Sequence, residues 1–198
     1  DVNIVAIADP NEESRKWARK ACEDKFKIRL YEDYKELLAE KDIDVIVVAS
    51  PNFTHIEIMR ELFKTDKHVL LEKPMCTTLP DSLEVLEKSK DHGGLVWVGL
   101  EYRYMSPIQS LIKHIEEIGD IRMLSIREHR FPFLEKVDNW NRFNENTGGT
   151  LVEKCCHFFD LMNLIVPSKP IKVYASGGQD VNHLDEKYDG KTPDIIDN

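Results

Sequence analysis

Strand-like apolar runs alternate with helix-like segments through the first half of the chain. Five short runs of β-branched and aliphatic residues have the composition of buried parallel strands: residues 2–8, 27–31, 43–49, 67–71 and 95–99. The segments between them carry apolar residues at helical spacing, and the joins are short. This alternation predicts a doubly wound parallel α/β sheet covered by helices on both faces. We assign residues 1–101 to this domain.

The pattern changes in the second half. Residues 107–118 predict an amphipathic helix, and residues 121–130 alternate in polarity as a half-exposed antiparallel strand does. A second strand is predicted at residues 171–176. Two strands make a poor sheet, so we expect further strands after the last residue of the chain. Residues 102–198 are therefore predicted to be an incomplete α+β domain with an open, mostly antiparallel sheet.

Composition excludes several classes of partner. The 198 residues include 36 acidic and 27 basic side chains, a formal charge of -9, which repels phosphate backbones and acidic membrane surfaces. The sequence has no apolar stretch near the roughly 20 residues that a membrane helix needs, and no leader-like start. We therefore expect a cytoplasmic protein without nucleic-acid or membrane partners. The four cysteines have neither zinc-site spacing nor disulfide density, so reduced thiols are expected.

One predicted strand runs directly into the charged motif Glu72-Lys73-Pro74. This places the ammonium of Lys73 at the carboxyl end of a buried parallel strand, where open α/β sheets have their ligand crevice. The alternative is a solvated charge pair at the end of a strand, with proline ending the ladder.

Glu153, His157 and Asp160 follow a Gly-Gly pair at spacings i, i+4 and i+7, which predicts one face of one helix. A lone histidine among Cys and Phe is usually a core residue, but this one is flanked by carboxylates. A neutral imidazole with a pKa near 6.5 is suited to take a proton. The His-x-x-Asp spacing supplies two zinc ligands without a third, so no metal is expected.

Several motifs occur in a set order along the chain: Ala8-Asp9-Pro10, Ser50-Pro51-Asn52 with His55, Glu72-Lys73-Pro74, Arg103, and the Gly148-Gly149 helix with His157 and Asp160. Together they closely resemble the glucose-fructose oxidoreductase and inositol dehydrogenase family (Gfo/Idh/MocA), over residues 2 to about 176. The resemblance implies an amino-terminal Rossmann domain for a nicotinamide cofactor. It also implies a carboxyl-terminal α/β domain whose open antiparallel sheet carries the substrate and often the subunit interface.

The resemblance also implies roles for residues at the strand ends. The cofactor-binding residues that we predict are Asp9, Ser50, Pro51, Asn52, His55, Glu72 and Lys73. A carboxylate at Asp9 accepts hydrogen bonds from the adenosine ribose of NAD and repels a 2′-phosphate, which favours NAD over NADP; its alternative role is to cap the next helix. His55 either caps its own helix or faces the crevice.

The sequence departs from the family pattern at two points. The Gly-rich phosphate loop would lie before Asp1, so we expect cofactor binding by this chain alone to be weak. The position four residues before the histidine is often Asp in the family, whereas here it is Glu153, which is one methylene longer.

The leading hypothesis is an NAD-dependent oxidoreductase acting on a sugar, inositol or related polyhydroxylated compound. His157 is the predicted acid/base, Lys73 the proton-relay and electrostatic partner, and Glu153 or Asp160 orients the imidazole. Candidates for a hydroxyl-rich substrate pocket are Arg103, Arg130, Trp140, Asn141 and Asp160.

Two alternatives keep the same fold. A tightly held NAD that oxidises and re-reduces one sugar would give net elimination, hydrolysis or epimerisation. A protein that binds nucleotide or sugar without turnover would be a sensor or regulatory subunit. For each of the three, exposed sheet in the second domain predicts a homo-oligomer, either a dimer or a tetramer.

Overall fold

A computed structural model describes residues 2–129 and 131–198. In its first half, strands and helices alternate in the predicted order: β1 Ala6–Ala8, α1 Glu12–Cys22, β2 Arg29–Tyr31, α2 Tyr34–Leu38, β3 Val45–Val48, α3 His55–Leu62, β4 His68–Leu71, α4 Leu79–Ser89 and β5 Val96–Val98. Short 3-10 turns over Asn52–Thr54 and Glu101–Tyr104 follow β3 and β5. The five predicted strands are confirmed, each shorter than its apolar run.

The strands pair in parallel and form two sheets, β1–β2 and β3–β4–β5. In the larger sheet Val48 pairs with Leu71, and Leu71 pairs with Val98. These three residues are the carboxyl ends of their strands. The segments that follow them therefore leave the sheet side by side at one edge.

The core lies on one face of the larger sheet. Ile46, Val48, Val69 and Leu71 are buried there. Helices α3 and α4 cover this face with three almost fully buried side chains, those of Met59, Leu62 and Val85. Burial of each such side chain contributes roughly 1.5–3 kcal/mol, so this layer stabilises the edge that carries the strand ends.

The opposite face of the same sheet is exposed to solvent. Val45, Val47 and Trp97 are 53 %, 59 % and 46 % exposed, so the prediction that helices cover both faces is wrong for this sheet. Both crossovers run in the same direction across the sheet, from β3 to β4 and from β4 to β5. Right-handed connections then place α3 and α4 on the same side, where the two helices contact each other.

The second half is helical where it is regular. After α5 (Ser106–Lys113) and α6 (Ile115–Ile118), a 3-10 segment over Val137–Arg142 precedes three short helices: α7 Asn144–Thr147, α8 Thr150–Glu153 and α9 Cys156–Ile165. Within the described residues, no helix is both long and apolar enough to cross a membrane.

The strands predicted at 121–130 and 171–176 are not formed over the residues that the structure describes, so that prediction is wrong. Most of their described side chains are exposed, and Ile171 is fully exposed. A strand needs a neighbour for its backbone N–H and C=O groups, and a two-stranded pair is marginal in water. Alternating polarity predicted an exposed and a buried face here, but it does not provide the neighbouring strand that a β-strand needs for its hydrogen bonds.

Candidate active site

Three segments meet at the carboxyl edge of the larger sheet. Ser50 follows β3, Glu72 and Lys73 follow β4, and the turn Glu101–Tyr104 follows β5. The Glu72 carboxylate accepts a hydrogen bond from the backbone N–H of Lys73 (3.2 Å). The strand pairing thus places the predicted cofactor segments beside one another at the edge where parallel sheets bind ligands.

Lys73 links the two halves of the chain. Its ammonium donates to the backbone carbonyl of Glu153, with 3.1 Å between Nζ and oxygen. Burial raises the pKa of the Glu153 carboxyl and lowers that of the His157 imidazole; the charge of Lys73 opposes the first shift and adds to the second. The structure therefore brings together the three residues that we predicted to be catalytic.

These residues do not lie on one helix. Glu153 ends α8, whereas His157 and Asp160 belong to α9, so the prediction of a single continuous helix is wrong. At Lys154 the backbone has φ -107° and ψ -48°, and α9 begins two residues later. At this break the Glu153 carbonyl accepts a hydrogen bond from the Lys73 ammonium, and Cys156 Sγ lies 3.5 Å from the same oxygen.

The Glu153 side chain is 8 % exposed, and its Oε2 has no hydrogen-bond partner among the described residues. Burial is the main influence on its pKa and raises it, while Lys73, Lys136 and Arg142 act in the opposite direction. An unpaired buried carboxyl oxygen is costly. A ligand hydroxyl would remove that cost.

The His157 imidazole is 1 % exposed. The Tyr102 ring stacks on it at 4.1 Å between centroids and 9° between planes. Nε2 lies 3.5 Å from Glu101 Oε1, and Nδ1 has no partner within residues 2–129 and 131–198. The ring therefore has one nitrogen without a described partner, and one of its faces is covered by the Tyr102 ring.

Burial lowers the pKa of His157 below its ordinary value of 6.5. The cations of Lys73 and Lys154 lower it further, while the anions of Glu101 and Asp160 raise it. The neutral imidazole, which is the form that accepts a proton, is the favoured state near neutral pH.

Lys154 and Tyr102 are neighbours of His157 that the sequence analysis missed. The Lys154 ammonium donates to the Tyr102 hydroxyl, lies 3.4 Å from a carboxylate oxygen of Glu128, and sits 4.7 Å from the Tyr102 ring centroid. The sequence contained a signal for both residues. Tyr102 lies three residues after a predicted strand, where side chains of the ligand crevice are expected, and Lys154 is adjacent to the predicted catalytic residue Glu153.

Arg103 and Asp160 were predicted to bind substrate, and the structure pairs them with each other. Arg103 Nε donates to Asp160 Oδ2 at 2.6 Å, and its terminal nitrogen donates to Oδ1. This bidentate pair joins the turn after β5 to α9. The Asp160 carboxylate is thereby engaged with a guanidinium rather than with His157.

Asp9 directly follows β1, which ends at Ala8, and lines a shallow depression that Trp17 also lines. Its Oδ1 accepts the backbone N–H of Asn11 (2.8 Å). The cap of α1 is Asn11, whose side chain accepts from Ser14 N at 3.0 Å. Asp9 therefore supports the turn before the helix without being its cap.

The loop after β3 is tightly held. Thr54 Oγ1 lies 2.7 Å from both Ser50 Oγ and the Pro51 carbonyl. Asn52 is buried, yet its Nδ2 has no partner among the residues described. A buried amide donor of this kind fits an acceptor group of a bound cofactor.

His55 is completely buried. Its Nδ1 lies 2.9 Å from the carbonyl oxygen of Pro74, and its Nε2 lies 3.1 Å from that of Ser50. The ring neither caps its own helix nor faces a crevice, and these were the two roles predicted for it. A direct cofactor contact is therefore incompatible with this geometry.

The three remaining residues that were predicted to line a substrate pocket differ in their surroundings. The half-buried Trp140 packs edge-on against Phe53 at 6.3 Å, next to the Ser50 loop. Asn141 is buried, and its amide donates to the Leu134 carbonyl at 2.9 Å, so it supports the backbone rather than lining a pocket. Arg130 lies outside the described residues.

No cluster of three or more metal-ligand side chains occurs within residues 2–129 and 131–198.

Family models match both halves of the chain. The model described as an oxidoreductase family with an NAD-binding Rossmann fold (GFO_IDH_MocA) matches residues 1–100. The model of the carboxyl-terminal alpha/beta domain of that oxidoreductase family matches residues 112–198. The chain belongs to the Gfo/Idh/MocA oxidoreductase family. This confirms the predicted resemblance and the predicted fold class, a Rossmann domain followed by an α/β domain.

Individual relatives agree with this membership. The uncharacterized oxidoreductase YrbE of Bacillus subtilis is 33 % identical over 153 residues, which is 76 % of this chain and 43 % of that protein. The myo-inositol 2-dehydrogenase of Thermotoga maritima is 28 % identical over 180 residues, 89 % of this chain and 51 % of that protein. The chain thus spans about half, or less, of these relatives.

A solved structure of myo-inositol dehydrogenase from Lactobacillus casei, in complex with NAD(H) and myo-inositol, is 27 % identical to this chain. It superposes with a TM-score of 0.54 over 58 % of this chain and 34 % of that one.

Proposed function

We propose that this chain is part of an NAD-dependent oxidoreductase that transfers hydride between a nicotinamide cofactor and a sugar, inositol or related polyol. The observation that carries the proposal is the meeting of Lys73, Glu153 and His157 between the two halves of the chain. One carboxyl oxygen and one imidazole nitrogen of this group have no partner among the described residues. Unpartnered buried polar atoms are the features that a hydroxyl-bearing substrate would satisfy.

His157 is the proposed acid/base. Its favoured neutral form takes the proton of the reacting hydroxyl at Nδ1, the nitrogen without a described partner. Lys73 stabilises the negative charge that develops on the substrate oxygen. Glu153 holds the adjacent hydroxyl and, through its carbonyl, the Lys73 ammonium. When bound, nicotinamide supplies the acceptor for the hydride that leaves the same carbon.

The cofactor residues follow from the strand ends. Asp9 is proposed to bind the adenosine ribose hydroxyls, which favours NAD over NADP. Ser50, Pro51 and Asn52 would lie along the cofactor, with the unpartnered Asn52 amide as a donor, and Glu72 would bind the nicotinamide ribose.

The substrate class rests on the relatives and on the site. Two of the proteins described above are named as myo-inositol dehydrogenases. Trp140 offers an aromatic ring beside the Ser50 loop for stacking on an apolar sugar face. We retain as proposals the division after residue 101, a homo-oligomeric state and a cytoplasmic location.

The test uses the native-length protein with NAD⁺ or NADP⁺ and a panel of sugars and inositols, and follows the near-ultraviolet absorbance of reduced nicotinamide. Lys73→Met should lower kcat by roughly 10²–10⁴-fold, because the developing alkoxide loses its cation.

The matched control is Lys67→Met, at the other end of β4. The Lys67 ammonium also donates to backbone carbonyls, those of Glu40 at 2.6 Å and Ile43 at 2.7 Å. This variant should lose stability and keep its turnover. Wild-type turnover in Lys73→Met, or no hydride transfer with any polyol, would contradict the proposed function.

A further inference from the structure

His55 begins α3 at the point where the chain leaves the Ser50 loop. Its ring is completely buried, and both of its nitrogens face backbone carbonyl oxygens. The carbonyl of Ser50 belongs to the exit of β3, and that of Pro74 belongs to the segment after β4. One side chain therefore spans two neighbouring strand exits of the same sheet.

The chemistry of the ring makes these contacts directional. A carbonyl oxygen only accepts, so each contact is a hydrogen bond only if the facing nitrogen carries a proton. A neutral ring donates to one carbonyl, and the imidazolium donates to both. Burial lowers the pKa of His55, while the carbonyls of Pro74, Ser50 and Met75 and the charge of Glu72 oppose that effect. In either state the ring ties the start of α3 to the backbone of an exit loop.

The tied backbone is next to the proposed chemistry. Pro74 is adjacent to Lys73, whose ammonium contacts the Glu153 carbonyl across 80 residues of sequence. Ser50 precedes Asn52, the buried amide without a described partner. A shift of either loop would therefore move a proposed cofactor or proton-transfer group by a similar amount.

We propose that His55 is a positioning residue at the carboxyl edge of the sheet, where the cofactor is proposed to bind. It holds the Ser50 loop (residues 50–54) and the Lys73 loop (residues 72–76) in a fixed position relative to each other. This inference rests on the proposed function for its catalytic consequence. The link that His55 forms between the two loops, called the brace below, is a property of the fold. It can be measured by hydrogen exchange without measuring activity.

His92 provides a matched control in the same sheet. Its Nε2 lies 2.9 Å from the Lys67 carbonyl, and its ring packs edge-on against Phe63 at 5.3 Å. This histidine braces the opposite, amino-terminal end of β4. Loss of His92 should therefore cost stability without reaching the cofactor edge.

The experiment compares His55→Phe, His55→Gln and His92→Phe in the native-length protein. Hydrogen exchange is measured on peptides that cover residues 50–54 and 72–76, together with the Kd for NAD⁺ and steady-state kinetics. For His55→Phe we expect exchange in both loops at least tenfold faster than in wild type, and a kcat at least tenfold lower. His55→Gln, which retains amide donors, should recover part of both losses. His92→Phe should leave both loops unchanged.

The outcomes separate the brace from the proposed function. If His55→Phe leaves exchange in both loops at the wild-type rate, or if His92→Phe accelerates it equally, the brace is overturned. If exchange rises in both loops while wild type binds no NAD⁺, the brace stands and the proposed function fails. Should His55→Phe prove too unstable to purify, His55→Gln decides by the same exchange criterion.

Discussion

His55 and His157 are both buried, and burial lowers the pKa of each, yet their surroundings differ. The His55 ring faces a backbone carbonyl at each nitrogen. The His157 ring is stacked under Tyr102, with Nδ1 lacking a partner in the described part of the chain. Burial alone therefore does not separate a structural histidine from a reactive one.

The difference lies in which polar atoms are satisfied. Backbone carbonyls around a ring make it a crosslink whose loss leaves buried acceptors unpaired. A buried nitrogen without a partner, surrounded by charged groups, remains available to a ligand. Its burial without a hydrogen bond costs free energy of folding, which the rest of the fold offsets. Glu153, with its unpaired Oε2, belongs to the second kind, and the Arg103–Asp160 pair belongs to the first.

The largest expected contrast is between the two ring replacements. His157→Phe should lower kcat/KM by roughly 10²–10⁴-fold, because the acid/base is lost. It should change the free energy of unfolding by less than about 1 kcal/mol, because Nδ1 has no described partner and Nε2 only approaches the largely exposed Glu101 carboxylate at 3.5 Å. His55→Phe should cost about 1–3 kcal/mol, because buried carbonyls lose their donor. Thermal and denaturant unfolding with steady-state kinetics measure both effects, and equal stability losses would remove the distinction.

A smaller effect is expected at the contact between the two halves. Gly148 has φ +78°, and a Cβ there would lie 2.6 Å from the Thr77 carbonyl, in the segment after Lys73. Gly148→Ala should lower the free energy of unfolding by about 2–4 kcal/mol, because strain and a backbone clash add. Gly190→Ala, at φ +79° with nothing within 4 Å, should cost only the strain, about 1–2 kcal/mol. Equal losses in denaturant unfolding would show that the close approach of Gly148 to Thr77 and Val152 does not constrain the fold.

The smallest expected effect is on the pH dependence of activity. The pKa of His157 lies below 6.5, so the neutral base persists as the pH falls below that value, and the acid limb of kcat/KM lies below pH 6.5. Lys154→Met removes a nearby cation, should raise the pKa of His157, and should move the acid limb to higher pH. Glu101→Gln removes the anion whose Oε1 lies 3.5 Å from Nε2, should lower the pKa of His157 further, and should move the acid limb to lower pH.

The control for the Lys154 variant is Lys172→Met, which removes another ammonium placed over a tyrosine ring, 4.9 Å from the Tyr174 centroid. Its pH profile should match wild type. Acid limbs that stay in place for both Lys154→Met and Glu101→Gln would show that His157 does not titrate in that limb.

Local sequence was sufficient for the parallel strands and for the position of Lys73. Apolar runs followed by Pro or charged residues identify strand ends, and parallel strands bring their carboxyl ends to one edge. The same local patterns failed at residues 121–130 and 171–176, because a strand also needs a neighbour that periodicity does not supply. They also failed between Glu153 and His157, where the chain forms two helices and the Glu153 carbonyl bonds a lysine 80 residues away.

The sequence by itself determined the order of strands and helices, the family, and the residue types that could carry proton transfer. The tertiary structure decided which of those residues are already satisfied: Asp160 by Arg103, and His55 by two carbonyls. It also showed that Glu153 and His157 each keep an unpartnered atom among the described residues. The reason is physical, because strand and helix periodicity depends on neighbours a few residues apart. Hydrogen-bond satisfaction depends on partners that only the folded chain brings together.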